Sequence, residues 1–546
     1  MTRLENLGFA AAPRIGMARC FDGTLKCRAG PVRVQLQVTD WDFVDYPVLR
    51  LLEHPPFLPS VVPHLSAGRT LCYFQESAVV LDRYRPDLAL SQCLNRAQDE
   101  LDRLAQSPTY REGEFQAEFD AVWAVGQHPA AVPLLVGNLD SDQSHATCFG
   151  LDDADGRRLV IASSGDDVGR LCSSTGWTLS NQRFAHCHVL SSSQTPSLPG
   201  RLPGNVCEMF AWLKSWDTKL YSALQGRLAE PAYLTAGAAL FLVDTPVATF
   251  GLMFKLDAFQ RQAYSNKPKG YRQFLHRHGS SQPVTRLSVT DISADYVHSR
   301  NLRHSSLKDR RVTLIGCGAI GGYVAQALVR LGAGSGSGRL TIVDPDLLTA
   351  DNLGRHVLGF ESLLRPKADA LSEALRKQFP AAQITAEVRR ADAKDDLTAD
   401  IVINATGEEA VGLMLNDRHL QLSLENRPPL VHVWILGNGE AVQALMVDRP
   451  RFACFRCLRL DDDARTNRFP VLRDLPETRV RGCRAFRPYA VSAPMAAAAL
   501  CTDLVIGWLE GDPSPRFRTR SVESADVRSV KNQDVAPIGT CPACRP

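Results

Sequence analysis

One run constrains this chain more than any other: RRVTLIGCGAIGGYVAQALVRLGA, followed by the strand-like RLTIVDPD. Val312 to Ile315 read as a short buried strand. Gly316, Gly318 and Gly321 then make a tight turn that lets backbone N–H groups meet a phosphate at a helix N-terminus. Asp344 closes the next strand, where its carboxylate can accept from ribose hydroxyls. Alone, this pattern suggests a dinucleotide-binding oxidoreductase. The residues that follow argue against it. DPDLLTADNLGRHVLG sets Asp346, Asn352 and Arg355 just past the second strand, and Lys367 opens the following helix. Cations in that position suit a triphosphate, whereas a nicotinamide site has little use for them. A carboxylate at the start of the next strand, Asp400 in DIVINATGEE, is a candidate to hold Mg2+ beside those phosphates.

Further βα units surround this run. Strands are predicted at 312–315, 340–344, 384–389, 401–405, 431–436 and 442–447, with helices at 321–332 and 367–378. From about residue 291 the expected fold is therefore α/β, a doubly wound, mostly parallel sheet covered by helices. Cys454 and Cys457 form one CxxC pair, and Cys541 and Cys544 a second near the end of the sequence. Four thiolates at this spacing predict a tetrahedral structural Zn2+, with no position left for water. Between the pairs, Cys483 in RGCRAF is flanked by arginines and stands just before an alanine-rich helix, a setting that lowers a thiol pKa and favours a nucleophile. Cys501, inside the alanine-rich run, reads as core.

At 546 residues the chain has room for about three or four domains of ~150 residues. Residues 1–140 read as an α+β domain: Val32, Val34, Leu36 and Val38 alternate as in a half-buried strand, and Leu94, Ala97, Leu101 and Leu104 recur at helical spacing. Residues 141–290 read as a separate mixed domain, in which LTAGAALFLVD and VATFGLMFKLD suggest paired strands. The 62 basic residues nearly balance the 59 acidic ones, which leaves no footprint for nucleic-acid binding. No secretory signal is apparent, and the apolar stretches 233–254 and 491–509 carry Asp244, Pro246 and Asp503, so both are expected inside a protein rather than a membrane. Fifteen scattered cysteines then point to a reducing cytoplasm and to metal binding or catalysis, not disulfides.

Residues of about 295–546 resemble the ThiF/MoeB and ubiquitin-activating adenylyltransferases, on GCGAIGG, VDPDLLTADNLGRH, Lys367, DIVINATG and both CxxC pairs. The resemblance implies ATP-driven adenylation of the C-terminus of a ubiquitin-like protein. Asp344 would hold the ribose and Asn352, Arg355 and Lys367 the phosphates. Arg300 would reach the partner subunit's ATP in a homodimer. The family commonly has Asp where this chain has Gly407, so magnesium is assigned to Asp400 or Glu408. A cysteine in the region of Cys483 carries the thioester in family members that pass their cargo on.

The first domain resembles the ubiquitin-conjugating fold. His64 stands ahead of Cys72 at the family's spacing, and Gly68 precedes the cysteine in GRTLCY; this implies that Cys72 carries a thioester. His64-Leu65-Ser66 replaces the family's His-Pro-Asn, so the asparagine that steadies the oxyanion is missing. Cys93, on the following helix, is expected in the core. An activating and a conjugating module in one chain resemble the fusion proteins of CBASS antiphage operons, which attach a cGAS-like nucleotidyltransferase through its C-terminus to an amine-bearing acceptor. The alternative is activation of a ubiquitin-like or sulfur-carrier protein in another bacterial pathway.

Overall fold

The computed structural model describes residues 2–75, 78–126, 134–139, 144–230, 237–392, 396–460, 466–482, 484–522 and 526–545. They form two compact units, residues 1–165 with 178–291, and residues 166–177 with 292–546.

The first unit begins with an antiparallel meander of β1 (Ala10–Ile15), β2 (Ala18–Cys27), β3 (Gly30–Val38), β4 (Val48–Leu51) and β5 (Thr70–Leu71), paired in that order. Val32, Val34, Leu36 and Val38 of β3 are buried, as their alternation requires. Helix Pro86–Gln106 covers this sheet. A proline in its first turn lacks an N–H that would be unpaired there anyway, and Leu90, Cys93, Leu94, Ala97, Leu101 and Leu104 form its buried stripe. Cys93 is thus a core residue, and burial pushes its thiol up to about 11.

A second sheet contains β6 (Leu134–Val136), β7 (His145–Asp153), β8 (Gly156–Ala162), β9 (Thr178–Ser191), β10 (Ala238–Asp244), β11 (Thr249–Lys255), β12 (Thr285–Leu287) and β13 (Val289–Asp291). Its order is β12-β11-β10-β9-β7-β8-β6-β13. The paired strands expected near residues 238–255 are β10 and β11, and they run antiparallel. The expected boundary at residue 140 is displaced, because β6 precedes it yet pairs with β8 and β13. Besides a core of its own from Leu4 to Leu104, the region of residues 2–140 shares a second one with the residues that follow. Phe119 and Trp123, on helix Phe119–Trp123, pack against Trp212 and Phe250 of the second part. Shared aromatic burial therefore joins two of the three expected domains into one unit.

In the second unit β14 (Arg311–Ile315), β15 (Arg339–Val343), β16 (Ile384–Glu387), β17 (Ile401–Asn404) and β18 (Leu430–Leu436) pair in parallel, and β19 (Ala441–Val447) pairs antiparallel to β18. A hairpin of β20 (Arg479–Arg481) and β21 (Arg484–Phe486) stands apart, and β22 (Phe517–Ser521) closes the order β16-β15-β14-β17-β18-β19-β22. Helices Ala319–Arg330 and Lys367–Gln378 follow the first two parallel strands, as predicted. The order reverses between β14 and β17, and ligands of such sheets bind at the carboxyl ends of the strands there. Helix Ser492–Leu509 is long and apolar enough by composition to cross a membrane. Here Ala497, Cys501, Leu504 and Val505 bury one side of it in the core that β18, β19 and helix Ala319–Arg330 share.

Candidate functional site

At the reversal point Gly316 takes φ = 93°, and a Cβ on it would stand 2.8 Å from the Thr406 backbone nitrogen. A Cβ on Gly321 would come within 1.8 Å of the Gly316 carbonyl oxygen, so only glycine permits this turn. Gly318 opens the helix with nothing where its Cβ would be, which leaves the helix N-terminus approachable. Asp344 is buried beside it. Its Oδ2 accepts from the Cys317 N–H at 2.6 Å and its Oδ1 from the Asp346 N–H at 2.8 Å. The carboxylate is thereby fixed in orientation and keeps lone pairs for hydroxyl donors.

Lys367 is 7% exposed and begins its helix, where the dipole disfavours a cation. Asp346 holds it, with Oδ2 3.0 Å from Nζ. A lysine kept at the wrong end of a helix, with one carboxylate partner, is arranged to meet further negative charge. Asn352 sits in a short helix (Ala350–Leu353), where its Oδ1 accepts from Thr349 and caps the turn. Its Nδ2 supplies the donors. The Arg355 guanidinium lies 4.7 Å from the Tyr489 ring centroid, and Arg481 pairs with Asp351 at 3.5 Å. These contacts bring the segment around β20 and β21 beside Asp351 and Arg355. Cys483 itself lies outside the described residues.

Asp400 must be removed from the site. It precedes β17, and so lies at the amino end of the parallel strands, where it accepts from the Arg311 N–H at 2.7 Å. The glycine turn and Asp344 are at the carboxyl end. Strand direction, which motif spacing does not reveal, separates them. Glu408 is at the carboxyl end, in the N-cap position of helix Glu409–Gln421, where its side chain makes no capping hydrogen bond. Gly407 beside it takes φ = 68°, in the left-handed region that glycine enters freely. Arg300 is exposed at the end of helix Ala294–Ser299 and donates to Tyr296 and Asn301. His356 is a pocket residue that the spacing argument missed. It donates from Nε2 to the Cys317 carbonyl at 2.6 Å and accepts at Nδ1 from the Leu358 N–H at 3.0 Å, bracing the glycine turn.

The second centre is at Cys72, which directly follows β5 and is exposed. Its N–H donates to the His64 carbonyl at 2.8 Å, closing the loop 64–72. Gly68 is in that loop, and His64 and Arg69 both have positive φ, 63° and 61°. Strain of this kind persists only where the surroundings impose it. Three carboxylates surround the imidazole: Glu118 2.8 Å from Nδ1, and Glu114 and Glu100 3.0 and 3.7 Å from Nε2. Burial alone would lower the His64 pKa. Contact with Cys72 and the carboxylates outweighs it and raises the value to about 10, so the ring is an imidazolium at neutral pH. Donor atoms of His64, Cys72 and Glu118 all lie within 4.8 Å of one another. A cavity of about 810 Å³ opens beside them, lined by Tyr46, Phe74, Glu118, Val122 and, from the turn between β10 and β11, Val247. Glu100 and Glu114 come from helices downstream and Glu118 from the junction between two helices, and none carried a motif; only folding brings them to His64.

The CxxC pairs do meet. Cys454 Sγ is 3.8 Å from both Cys457 Sγ and Cys541 Sγ, and Cys457 Sγ is 3.5 Å from Cys544 Sγ. Thiolates around a tetrahedral zinc with bonds of about 2.3 Å stand about 3.8 Å apart, so the four fit that ion.

Comparison with known proteins gives a family for each of the two regions. Residues 296–537 match the ThiF family, and residues 19–132 match the Prokaryotic E2 family B. The chain is 32% identical to the ATP-dependent ubiquitin transferase-like protein Cap2 of Pseudomonas aeruginosa, over 94% of its own length and 91% of the relative's. It is 26% identical to the protein of that name from Escherichia coli, over 94% and 92%, and 25% identical to that from Vibrio cholerae, over 92% and 89%. An E2-like module and a ThiF-like module in one polypeptide define an ATP-dependent transferase that works through protein thioesters. The chain belongs to the Cap2 family of bacterial ubiquitin transferase-like proteins.

Proposed function

We propose that this protein adenylates the C-terminus of a cargo protein, captures the acyl group on Cys483, transfers it to Cys72 and delivers it to an amine. One observation carries the reading: an exposed cysteine at the mouth of an open cavity occurs in the same chain as a glycine turn backed by Asp344 and Lys367. The cargo carboxylate attacks the α-phosphorus of ATP and pyrophosphate leaves. Lys367, Arg355 and Asn352 neutralise and orient the phosphates, Asp344 holds the ribose, and Glu408 is the carboxylate assigned to Mg2+. A thiolate at Cys483 then attacks the acyl carbonyl and AMP leaves. The Cys72 thiolate displaces Cys483 in turn. The acceptor amine finally attacks the Cys72 thioester, losing a proton as the amide forms and the thiolate departs.

His64 fills the gap left by the missing asparagine. Its imidazolium faces the cysteine, and so can steady both the thiolate and the tetrahedral oxyanion, while Glu118 orients it. Fusion raises the effective concentration of one thiol at the other. The resemblance to the fusion proteins of CBASS antiphage operons favours a cGAS-like nucleotidyltransferase as cargo in antiphage defence, ahead of a ubiquitin-like protein. A homodimer, with Arg300 reaching the partner's ATP, follows from the adenylyltransferase resemblance.

The test is a relay experiment with candidate cargo and ATP. Cys72→Ala should trap a reducible thioester on Cys483 and block amine transfer. Cys483→Ala should still form the acyl adenylate and load nothing on Cys72. A fully charged Cys72 in Cys483→Ala would overturn the two-cysteine order, and absence of any thioester in the unaltered chain would overturn the function.

A further inference from the structure

A third cluster of ligating side chains lies in the second sheet of the first unit, outside both centres. β7 and β9 run antiparallel with His145 opposite His188, so the two imidazoles project from one face of the sheet. Their ring centroids are 4.9 Å apart. Glu230 arrives from a different direction, just past the end of helix Thr218–Arg227, and puts Oε2 3.1 Å from His145 Nε2. One donor atom from each of the three residues falls within 4.8 Å of the other two.

The remaining atoms of the two outer residues are already engaged. His145 Nδ1 is 2.8 Å from the Ser144 hydroxyl, and Glu230 Oε1 accepts from Arg227 at 2.8 Å. This is how ligands are oriented around a metal: the outer atom is tied down, and the inner one turns to the common point. His188 is fully buried and stacks on Phe241, its ring centroid 5.3 Å away, which gives the site a rigid apolar back wall. The side chains of His145 and Glu230 are about a third exposed, leaving an entrance for an ion and for water as a further ligand.

We propose that His145, His188 and Glu230 bind a divalent transition metal ion, zinc by preference. Two imidazoles and a carboxylate form a borderline-soft N/N/O set with an open position, which suits zinc and disfavours calcium or magnesium. The ion would tie the end of helix Thr218–Arg227 to the β7–β9 pair. β9 also pairs with β10, and the turn after β10 supplies Val247 to the wall of the Cys72 cavity. A staple here therefore steadies one side of the conjugating centre without touching the reacting atoms.

The full chain, purified without chelator and dialysed against micromolar zinc, should hold about two zinc ions, one of them in the cluster of Cys454, Cys457, Cys541 and Cys544. His145→Gln and Glu230→Gln each alter a partly exposed side chain and should retain about one, with pyrophosphate exchange unchanged. In the cobalt-substituted protein the sulfur-to-metal charge-transfer band of the all-cysteine site should persist in both variants, while the weaker visible bands of an N/O site disappear. A chain that holds about one zinc under these conditions, or a second zinc unaffected in the His145→Gln/Glu230→Gln double variant, would overturn the site and reduce the cluster to an ion pair beside a buried histidine.

Discussion

His64 and His432 show how differently the two halves of this chain use one residue type. His64 lies among Glu100, Glu114 and Glu118 beside an exposed thiol, and is held charged. His432 lies beneath the nucleotide edge on β18, stacked on Phe455 with ring centroids 4.3 Å apart and 3.1 Å from Asn404 Nδ2. Burial there, with His419 nearby, pushes its pKa down to about 3, so it is neutral. The conjugating half sets charge by gathering side chains around a strained loop. The activating half sets it by burial and by backbone geometry, with Asp344 and His356 fixed by N–H and C=O groups. A centre of the first kind should yield gradually to single charge changes, and one of the second kind should fail sharply when its few cations or glycines are altered.

The largest expected effect tests the activating half alone. Lys367→Ala should cut pyrophosphate exchange by ~100-fold or more while leaving the rate of Cys72 alkylation unchanged. A parallel fall in alkylation would show that the substitution damages the fold generally and would break the comparison.

Cys541→Ser should remove the zinc held by the two CxxC pairs and lower the thermal stability of the second unit, because structural zinc contributes directly to folding free energy. Metal analysis and melting of the same sample check it, and full zinc retention would mean that the four thiols are not its ligands.

In the conjugating half, Glu118→Gln should slow amine transfer from Cys72 by about 10-fold, with pyrophosphate exchange intact. An unchanged transfer rate would remove Glu118 from any role beyond packing.

The two histidines also predict opposite pH dependence. The folded-state pKa of His64 is raised, so its stabilisation is present below the unfolded value of about 6.5 and is lost as pH rises through about 10. His432 has a depressed value, so its contribution is present above about 6.5 and is lost as pH falls towards about 3. Hydrogen exchange across this range should show the loop 64–72 loosening first in alkali and β18 first in acid; the reverse order would contradict both environments.

The smallest effect belongs to Asp400→Asn. A pair with Arg311 at the amino edge contributes about 0–1 kcal/mol, so pyrophosphate exchange should stay within about 2-fold. A loss comparable with that of Lys367→Ala would return Asp400 to the nucleotide site.

The contrast between the halves also explains what the sequence alone determined. The nucleotide turn, the succession of strands and helices after residue 311 and the four zinc cysteines were legible because each is local: a glycine forced by a tight turn, a period of apolar residues, a CxxC knuckle. His64 and Cys72 were legible as a pair for the same reason, since a short loop joins them. Only the tertiary structure decided the rest. Strand direction put Asp400 at the wrong end of the sheet. Packing of Phe119 and Trp123 against Trp212 and Phe250 joined two expected domains. The carboxylates around His64 come from positions 100 and 114, on helices, and 118, at the junction between two helices, and carry no shared motif. Such residues have no mutual spacing to read, because the free energy that brings them together comes from cores buried elsewhere in the chain, and the electrostatics of the site appear only once those cores have formed.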